Sequence, residues 1–240
     1  MKNLIWLIFS NNLLAHLIEG KQSTTNRLSK IRIKDKWYVD EDDRVILFHG
    51  INAVQKSFPW YPDNTGTVND HCRDHCDMTN RTQLAYLKKW GLNVVRLGFM
   101  WPGLYPDKGN LNESYARKMV EIVNTLEEFG IYVIIDLHQD MLSSLFESYD
   151  GAPLWILNQL PAPKKPYPSP FKNKGLFYGG AYFTEACSFA FECLYRNVNS
   201  FEDYFHEFWT QTARIFKNSS SVLAYELINE PWVIYIAIFV

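Results

Sequence analysis

The sequence has very little net charge. Its 240 residues include 24 Lys and Arg against 26 Asp and Glu, which gives a formal charge of −2. Proteins that bind nucleic acid through its phosphates usually carry a basic patch or stripe, and acidic scaffolds carry runs of like charge. This chain has neither feature, so we expect no nucleic-acid partner.

The chain also lacks an apolar run of about 20 residues, the length that spans a bilayer. Near the N-terminus, residues 4–9 and 13–18 are apolar, but the polar residues 10–12 separate them. With Lys2 ahead of them, these short runs predict an export signal over residues 1–20. A buried amphipathic helix is the alternative interpretation.

Cysteine is scarce. The four cysteines, Cys72, Cys76, Cys187 and Cys193, permit three pairings. In an exported protein they are expected to form disulfides, and we favour the two local pairings, Cys72 with Cys76 and Cys187 with Cys193. The run 71–76 also holds alternating His and Cys side chains that could bind zinc. The export signal favours the disulfide, so we expect no metal.

Three N-glycosylation acceptor sequences agree with export; they begin at Asn80, Asn112 and Asn218. We therefore expect a secreted or lumenal glycoprotein. Its oligomeric state is not indicated by the sequence.

Aromatic side chains are abundant: 8 Trp, 14 Tyr and 16 Phe. Such rings mostly form core, and a chain of this length can bury one sizeable core. Alternatively, some of the rings form a surface that stacks on sugars or faces lipid.

The apolar pattern predicts alternating strands and helices. The predicted strands cover residues 44–52, 93–99, 131–137 and 222–227. The predicted helices cover residues 80–90, 114–129 and 201–216, and a long Pro-rich, aromatic excursion covers residues 141–200. Continuous apolar strands joined by helices are typical of a parallel sheet covered on both faces.

The predicted fold class is α/β, a β/α (TIM) barrel truncated after about four parallel strands, since a complete barrel needs about 250 residues. We expect an export signal over residues 1–20, a polar leader over 21–43 and a partial barrel domain over 44–240. Residues 233–240 are apolar and carry no turn signal. They indicate truncation, and a membrane-contacting tail is the alternative.

Polar side chains lie at the carboxyl ends of the predicted strands. The candidate site residues are Lys56, Arg96, His138, Asp140, Asn229 and Glu230. Because parallel strands in a β/α fold end on one face, these side chains are expected to converge. Glu230 is suited to general acid catalysis on a glycosidic oxygen. Alternatively, Arg96 neutralises a buried acid and His138 is structural.

Four stretches carry a family resemblance: residues 50–52, 93–103, 135–140 and 226–232. Over residues 44–232 the chain resembles glycoside hydrolase family 5, and within it the endoglycoceramidases. The Asn-Glu-Pro triplet at 229–231 is typical of a broad clan of retaining glycosidases, and the second and third stretches narrow the resemblance.

The resemblance implies a barrel enzyme that cleaves the β-glycosidic bond between oligosaccharide and ceramide in glycosphingolipids. It implies retention of configuration, no cofactor, and peripheral membrane contact through the lipid substrate. Glu230 then matches the acid/base and Asn229 the sugar-binding amide. Lys56, His138 and Asp140 match the glucose-side pocket, and Arg96 matches the arginine of the second strand.

The sequence departs from the family at two points. His49 stands where many members have Arg, and the nucleophilic glutamate belongs to a later strand that this chain does not contain. Retaining hydrolysis needs two carboxyl groups about 5–5.5 Å apart. In one extended strand Glu226 would lie about 13 Å from Glu230. We therefore expect this chain alone to be inactive or nearly so.

Two other functions remain open. The chain could belong to a family-5 enzyme for a soluble β-glucan or mannan, or to a non-catalytic protein that binds glycans or glycolipids.

Overall fold

The structure, a computed structural model, describes residues 28–62, 77–147, 150–175 and 178–232. The expected export signal, Cys72, Cys76 and the tail 233–240 lie outside the described residues.

The first element is a small antiparallel sheet within the predicted polar leader. Strands β1 (Arg32–Lys34) and β2 (Trp37–Val39) pair with each other. The sheet is anchored by Asp40, which accepts from the backbone amide and the guanidinium of Arg44. The described part of the leader is therefore folded.

The main element is a four-stranded parallel sheet. Its strands are β3 (Gly50–Ala53), β4 (Val94–Gly98), β5 (Tyr132–Asp136) and β6 (Val222–Glu226), side by side in chain order. The two central strands, β4 and β5, are almost fully buried, which agrees with their continuous apolar sequences. The carboxyl ends of all four strands lie on one side of the sheet.

Strand β3 is shorter than predicted. Val45 and Leu47 are 48% and 72% exposed, although the prediction made them part of a buried strand. Val45 instead bridges to Val39, and the amide of Ile46 donates to the carbonyl of Tyr38. This part of the chain therefore extends the small antiparallel sheet. The strand begins at Gly50, where a Cβ would lie 1.6 Å from the carbonyl oxygen of Val94.

The described part of the chain contains six α-helices, of which two lie within the excursion. They are α1 (Arg81–Lys89), α2 (Trp101–Leu104), α3 (Glu113–Glu128), α4 (Leu154–Leu157), α5 (Glu185–Tyr195) and α6 (Phe201–Phe216). Asn80 and Asn112 cap α1 and α3 by accepting from backbone amides of the first turn. The three predicted helices are thus confirmed to within about one residue.

Aromatic rings fill much of the core. Phe99, Trp101, Tyr115 and Phe208 are 2% exposed or less, and their rings contact one another at centroid distances of 5.3–5.8 Å. These four rings are core residues, as the first interpretation of the aromatic content expects. None of the described helices combines the length and hydropathy that a membrane span requires.

The predicted local disulfide between Cys187 and Cys193 is wrong. Both residues are buried free thiols on α5. Six residues along a helix rise by about 9 Å, and a disulfide cannot join Cα atoms more than about 7 Å apart. The sequence prediction places no helix in the excursion, and without one the short spacing of Cys187 and Cys193 suggested a local pair.

Candidate active site

The carboxyl ends of β4, β5 and β6 bring their polar side chains together. In the strand register Gly98 lies beside Asp136, and Asp136 lies beside Glu226. Arg96 projects from β4 toward the same cluster. The predicted convergence at the strand ends is therefore observed, with Asp136 and Glu226 as additional members.

Arg96 organises this cluster. Its guanidinium donates through Nε and Nη2 to the two carboxylate oxygens of Glu226, each at 2.7 Å. The same Nη2 donates to the Oδ1 of Asn229 at 2.9 Å. The hydrogen bond between Arg96 and Glu226 lowers the pKa of Glu226 and raises the pKa of Arg96. Glu226 is therefore held as an anion that fixes Arg96, and Arg96 in turn fixes Asn229.

Asp136 is fully buried beneath the cluster. One of its carboxylate oxygens lies 3.1 Å from Nη2 of Arg96, and the other lies 2.9 Å from Nδ1 of His138. Burial raises the pKa of Asp136, and the hydrogen bond with His138 acts against that rise. Arg96 does neutralise a buried acid, as the alternative interpretation held, and it also binds a candidate catalytic residue.

The contact between Nδ1 and Asp136 orients the imidazole of His138. When Nδ1 donates to Asp136, the neutral imidazole presents Nε2 as an acceptor. Nε2 lies 3.9 Å from Oδ2 of Asp140, beyond hydrogen-bonding distance but on the same side of the cluster. His138 thus connects the Arg96 cluster with the next group of polar side chains.

This next group contains Lys56, Asp140 and Tyr178. The ammonium of Lys56 binds Asp140 and donates to the hydroxyl of Tyr178 at 3.2 Å. Burial lowers the pKa of Lys56, but the hydrogen bond and charge of Asp140 outweigh burial and raise it. The backbone of Asp140 is fixed as well, since its amide donates to the carboxylate of Asp150 at 2.9 Å. The group therefore presents a charged donor and a charged acceptor side by side.

The segment after β6 is tied to the end of β5. The amide of Asn229 donates to the carbonyl of Leu137 at 3.0 Å, and its Nδ2 donates to the carbonyl of Gln139 at 2.9 Å. Gln139 returns two bonds from Nε2, to the carbonyls of Asn229 at 2.6 Å and Glu230 at 3.1 Å. These four bonds fix the backbone that carries the candidate acid/base.

Glu230 sits on this fixed backbone with a φ of 41°, a left-handed conformation that is costly for a side chain other than Gly. Its side chain is exposed. Its charge contributes to the raised pKa of Arg96, without a direct ion pair among the residues that the structure describes. The strand β6 ends at Glu226, so the spacing of an extended strand does not apply between Glu226 and Glu230.

A group of aromatic side chains packs around Trp232, two residues after Glu230. Trp232 stacks on Tyr182 at 4.7 Å and contacts Phe183 edge-on at 5.9 Å. The hydroxyl of Tyr195 donates to the carbonyl of Trp232 at 2.7 Å. The chain therefore remains in contact with the excursion immediately after Glu230.

One group of described residues has the spacing of metal ligands. Donor atoms of His138, Asp140 and Asp150 lie within 4.8 Å of one another. The ammonium of Lys56 already binds Asp140, and Nδ1 of His138 faces Asp136. The carboxylate of Asp140 is thus already paired with a cationic side chain.

Five of the predicted site residues, Lys56, Arg96, His138, Asp140 and Asn229, are linked through their side chains. Glu230 joins them through its main-chain carbonyl, which accepts from Gln139. The candidate residues chosen from the sequence did not include Asp136, Gln139 or Tyr178, and they gave no structural role to Glu226. Asp136 and Gln139 lie within the stretch 135–140 that carried the resemblance, and their polarity at a strand end was the available signal. Tyr178 comes from the excursion, and nothing in its local sequence distinguishes it.

Comparison with known proteins agrees with this arrangement. A family model for cellulases, glycosyl hydrolase family 5, matches residues 51–233. An endoglycoceramidase of Hydra vulgaris is 36% identical over 233 residues, which cover 91% of this chain and 43% of that protein. One of Cyanea nozakii is 38% identical over 208 residues, covering 81% of this chain and 40% of that protein.

Solved structures show the same fold. An endogalactoceramidase superposes with a TM-score of 0.63 at 23% identity, over 85% of this chain and 44% of its own.

The chain spans about two fifths of the length of the curated relatives it matches. The four parallel strands are accordingly part of a β/α barrel, as predicted. The match over residues 51–233, which is more than half of the sequence, shows that this chain belongs to glycosyl hydrolase family 5.

Proposed function

We propose that this chain supplies the acid/base and the sugar-binding residues of a retaining glycosidase that separates oligosaccharide from ceramide in glycosphingolipids. The observation that carries the proposal is the fixed position of Glu230. It follows Asn229 on a backbone held by Gln139, and its charge contributes to the raised pKa of Arg96. The endoglycoceramidases among the relatives support the choice of substrate.

In this mechanism Glu230 donates a proton to the glycosidic oxygen as the bond to the anomeric carbon breaks. Asn229 keeps one Nδ2 hydrogen for a sugar hydroxyl, because its Oδ1 binds Arg96 and its other Nδ2 hydrogen binds the carbonyl of Gln139. The paired donor and acceptor at Lys56 and Asp140 suit the hydroxyls of the adjacent glucose.

The second carboxylate of a retaining pair is not assigned within the described site. Asp136 and Glu226 are bound by Arg96, and Asp140 is bound by Lys56. These three carboxylates therefore already have partners in the roles described above, and none of them is assigned as the attacking group. We therefore expect no detectable hydrolysis of lactosylceramide by the 240-residue chain alone.

A small anion can stand in for that carboxylate and test the acid/base assignment. We expect the chain to convert lactosylceramide and azide into α-lactosyl azide and free ceramide. The azide nitrogen forms a bond to the anomeric carbon, the glycosidic C–O bond breaks, and the proton of Glu230 goes to the ceramide oxygen. The conservative variant Glu230→Gln cannot donate this proton, so it should abolish the reaction while it still binds lactose.

A second candidate substrate is a soluble β-glucan, since the matching family model is that of cellulases. Running the azide reaction in parallel with cellotetraose separates the two. Faster reaction with lactosylceramide supports the glycolipid, whereas faster reaction with cellotetraose contradicts it. Glycolipid binding without any azide product would instead indicate a binding protein.

We also propose that the protein is a secreted or lumenal glycoprotein that contacts membranes through its lipid substrate. The apolar runs within residues 1–20 and the acceptor sequences at Asn80, Asn112 and Asn218 support this. Expression in a eukaryotic secretory host should yield protein in the medium whose mobility increases after enzymatic removal of N-glycans.

A further inference from the structure

The side chain of Gln139 lies between the end of β5 and the backbone of Glu230, and Gln139 is only 1% exposed. Its Nε2 donates to the carbonyls of Asn229 and Glu230, and its Oε1 accepts from the backbone amide of Leu142 at 2.7 Å. Carbonyls only accept and a backbone amide only donates, so these partners allow one orientation of the side-chain amide. Both hydrogens of Nε2 are therefore engaged at the backbone around the candidate acid/base.

This single nitrogen holds the two peptide groups on either side of Glu230. The carbonyl of Asn229 belongs to the peptide group that precedes the Cα of Glu230, and the carbonyl of Glu230 belongs to the one that follows it. Rotation about φ or ψ of Glu230 turns these two planar groups relative to each other. A donor that is bound to both carbonyls opposes this rotation, and it thereby fixes the direction in which the side chain of Glu230 leaves the backbone.

The local sequence does not favour the backbone conformation that Glu230 adopts. Its φ of 41° lies in the left-handed region, which a residue other than Gly seldom adopts. Pro231 follows it, and a residue before proline prefers an extended backbone. Such a conformation persists where surrounding contacts hold it, and the two bonds from Gln139 are contacts of this kind.

Gln139 is itself held by the excursion. The amide of Leu142 binds its Oε1, and the hydroxyl of Tyr182 lies 3.3 Å from its Nε2. A Cβ added to Gly151 would lie 3.2 Å from the Cβ of Gln139, so the excursion also packs closely against the base of this side chain. The excursion therefore restrains the donor that restrains Glu230.

The side chain of Asn229 does not depend on the side chain of Gln139. Its Oδ1 accepts from Arg96, and its Nδ2 donates to the main-chain carbonyl of Gln139. Both contacts remain when only the side chain of Gln139 is changed. Such a change should therefore affect proton donation by Glu230 far more than sugar binding by Asn229.

We propose that Gln139 is a positioning residue that holds the carboxyl group of Glu230 in the direction required for proton transfer to the leaving oxygen. The proposal rests on the proposed function, because it assumes that Glu230 is the proton donor. Loss of the Nε2 donor should then slow only those reactions whose leaving group needs a proton.

The test compares two substrates in the azide reaction of the 240-residue chain, lactosylceramide and 2,4-dinitrophenyl β-lactoside. The alkoxide of ceramide leaves poorly unless it is protonated, whereas dinitrophenolate leaves without a proton. Gln139→Met keeps the length of the side chain and removes both donors. With lactosylceramide we expect its kcat to fall about hundredfold while its KM stays within about twofold of the wild-type value.

With the dinitrophenyl lactoside the rate of Gln139→Met should stay within about threefold of the wild-type rate, which also reports that the variant is folded. Gln139→Leu removes the same donor with a side chain of different shape. The same selective loss in both variants assigns the effect to the donor rather than to packing.

Gln159→Met is the matched control. The Nε2 of Gln159 donates to the carbonyl of Trp155 at 2.7 Å outside the site, so its loss should leave both rates at the wild-type level. Equal losses with the two substrates in the Gln139 variants would overturn the inference alone, as would an unchanged rate with lactosylceramide. A wild-type chain that forms no lactosyl azide from lactosylceramide would overturn the proposed function and the inference together.

Discussion

Arg96 on β4 reaches across β5 to bind Glu226 on β6, with two N···O distances of 2.7 Å. This ion pair joins strands that do not pair with each other, and 130 residues separate its members in sequence. Because Arg96 also holds Asn229, the pair connects the stability of the sheet with the position of the candidate acid/base.

Substitution of Glu226 by Gln should destabilise the fold. Arg96 keeps a side chain only 19% exposed, so removal of the charge of its partner leaves a largely buried cation less well compensated. The carboxylate itself is 38% exposed, and solvent screening limits the loss to about 1 kcal/mol in the free energy of unfolding. Urea denaturation measures it.

Glu121→Gln is the matched control for this substitution. Glu121 pairs with Lys118 on the surface of α3 at 3.3 Å and is 57% exposed. Its loss should change the free energy of unfolding by less than about 0.5 kcal/mol. Equal effects of the two substitutions would show that Arg96 gains nothing from Glu226.

The stabilisation of the fold by Glu226 should decrease as the pH falls. The hydrogen bond from Arg96 lowers the pKa of Glu226 below its ordinary value of 4.5, so the folded state binds the proton less tightly than the unfolded state. The stabilisation is then complete at pH values above the unfolded pKa and is lost as the pH falls through the folded pKa.

Urea denaturation of the wild type and Glu226→Gln at a series of pH values measures this dependence. The difference in free energy of unfolding should be constant from about pH 6 to 8 and decline below about pH 4. A difference that grows toward acid pH would contradict the assigned ion pair.

Lys56 and Asp140 should act as one unit in sugar binding. Lys56→Met removes the donor and leaves Asp140 with a carboxylate no longer bound by an ammonium, so lactose affinity should fall by about tenfold or more. Asp140→Asn should have a similar effect, and the double variant should cost little more than either single one. Calorimetric titration measures all three.

A matched control for Lys56→Met is Lys108→Met, which removes an exposed ammonium that binds Gln159 outside the site. Its lactose affinity should equal that of the wild type. Additive losses in the double variant would instead show that Lys56 and Asp140 bind the sugar independently.

The thiols of Cys187 and Cys193 should be reduced and unreactive in the folded protein. Burial raises the pKa of both thiols, that of Cys193 to about 11, so little thiolate forms near neutral pH. In a variant with Cys72→Ala and Cys76→Ala, a thiol reagent at pH 8 should modify neither cysteine in native protein.

After denaturation without reductant, the same variant should give two alkylated cysteines by mass spectrometry. Recovery of no free thiol would restore the disulfide between Cys187 and Cys193 that the helical geometry of α5 excludes. Rapid modification of the native protein would instead contradict the burial of the two side chains.

The sequence alone determined the order of strands and helices and the strand ends at which polar groups gather. Continuous apolar runs and capping residues such as Asn80 and Asn112 are local signals, so β4, β5, α3 and α6 were placed to within one or two residues. Helix α5 was missed because seven of its eleven residues are buried, and a helix buried on most sides lacks an amphipathic period.

Tertiary structure alone decided which side chains hold the candidate acid/base in place. The bonds of Arg96 with Glu226, Lys56 with Tyr178 and Gln139 with Glu230 join residues 130, 122 and 91 positions apart. Such partners are set by strand register and by the path of the excursion, and neither leaves a periodic mark on the sequence. Local sequence therefore offered Glu230 as the candidate acid/base, and only the packing of distant segments could show what positions its backbone.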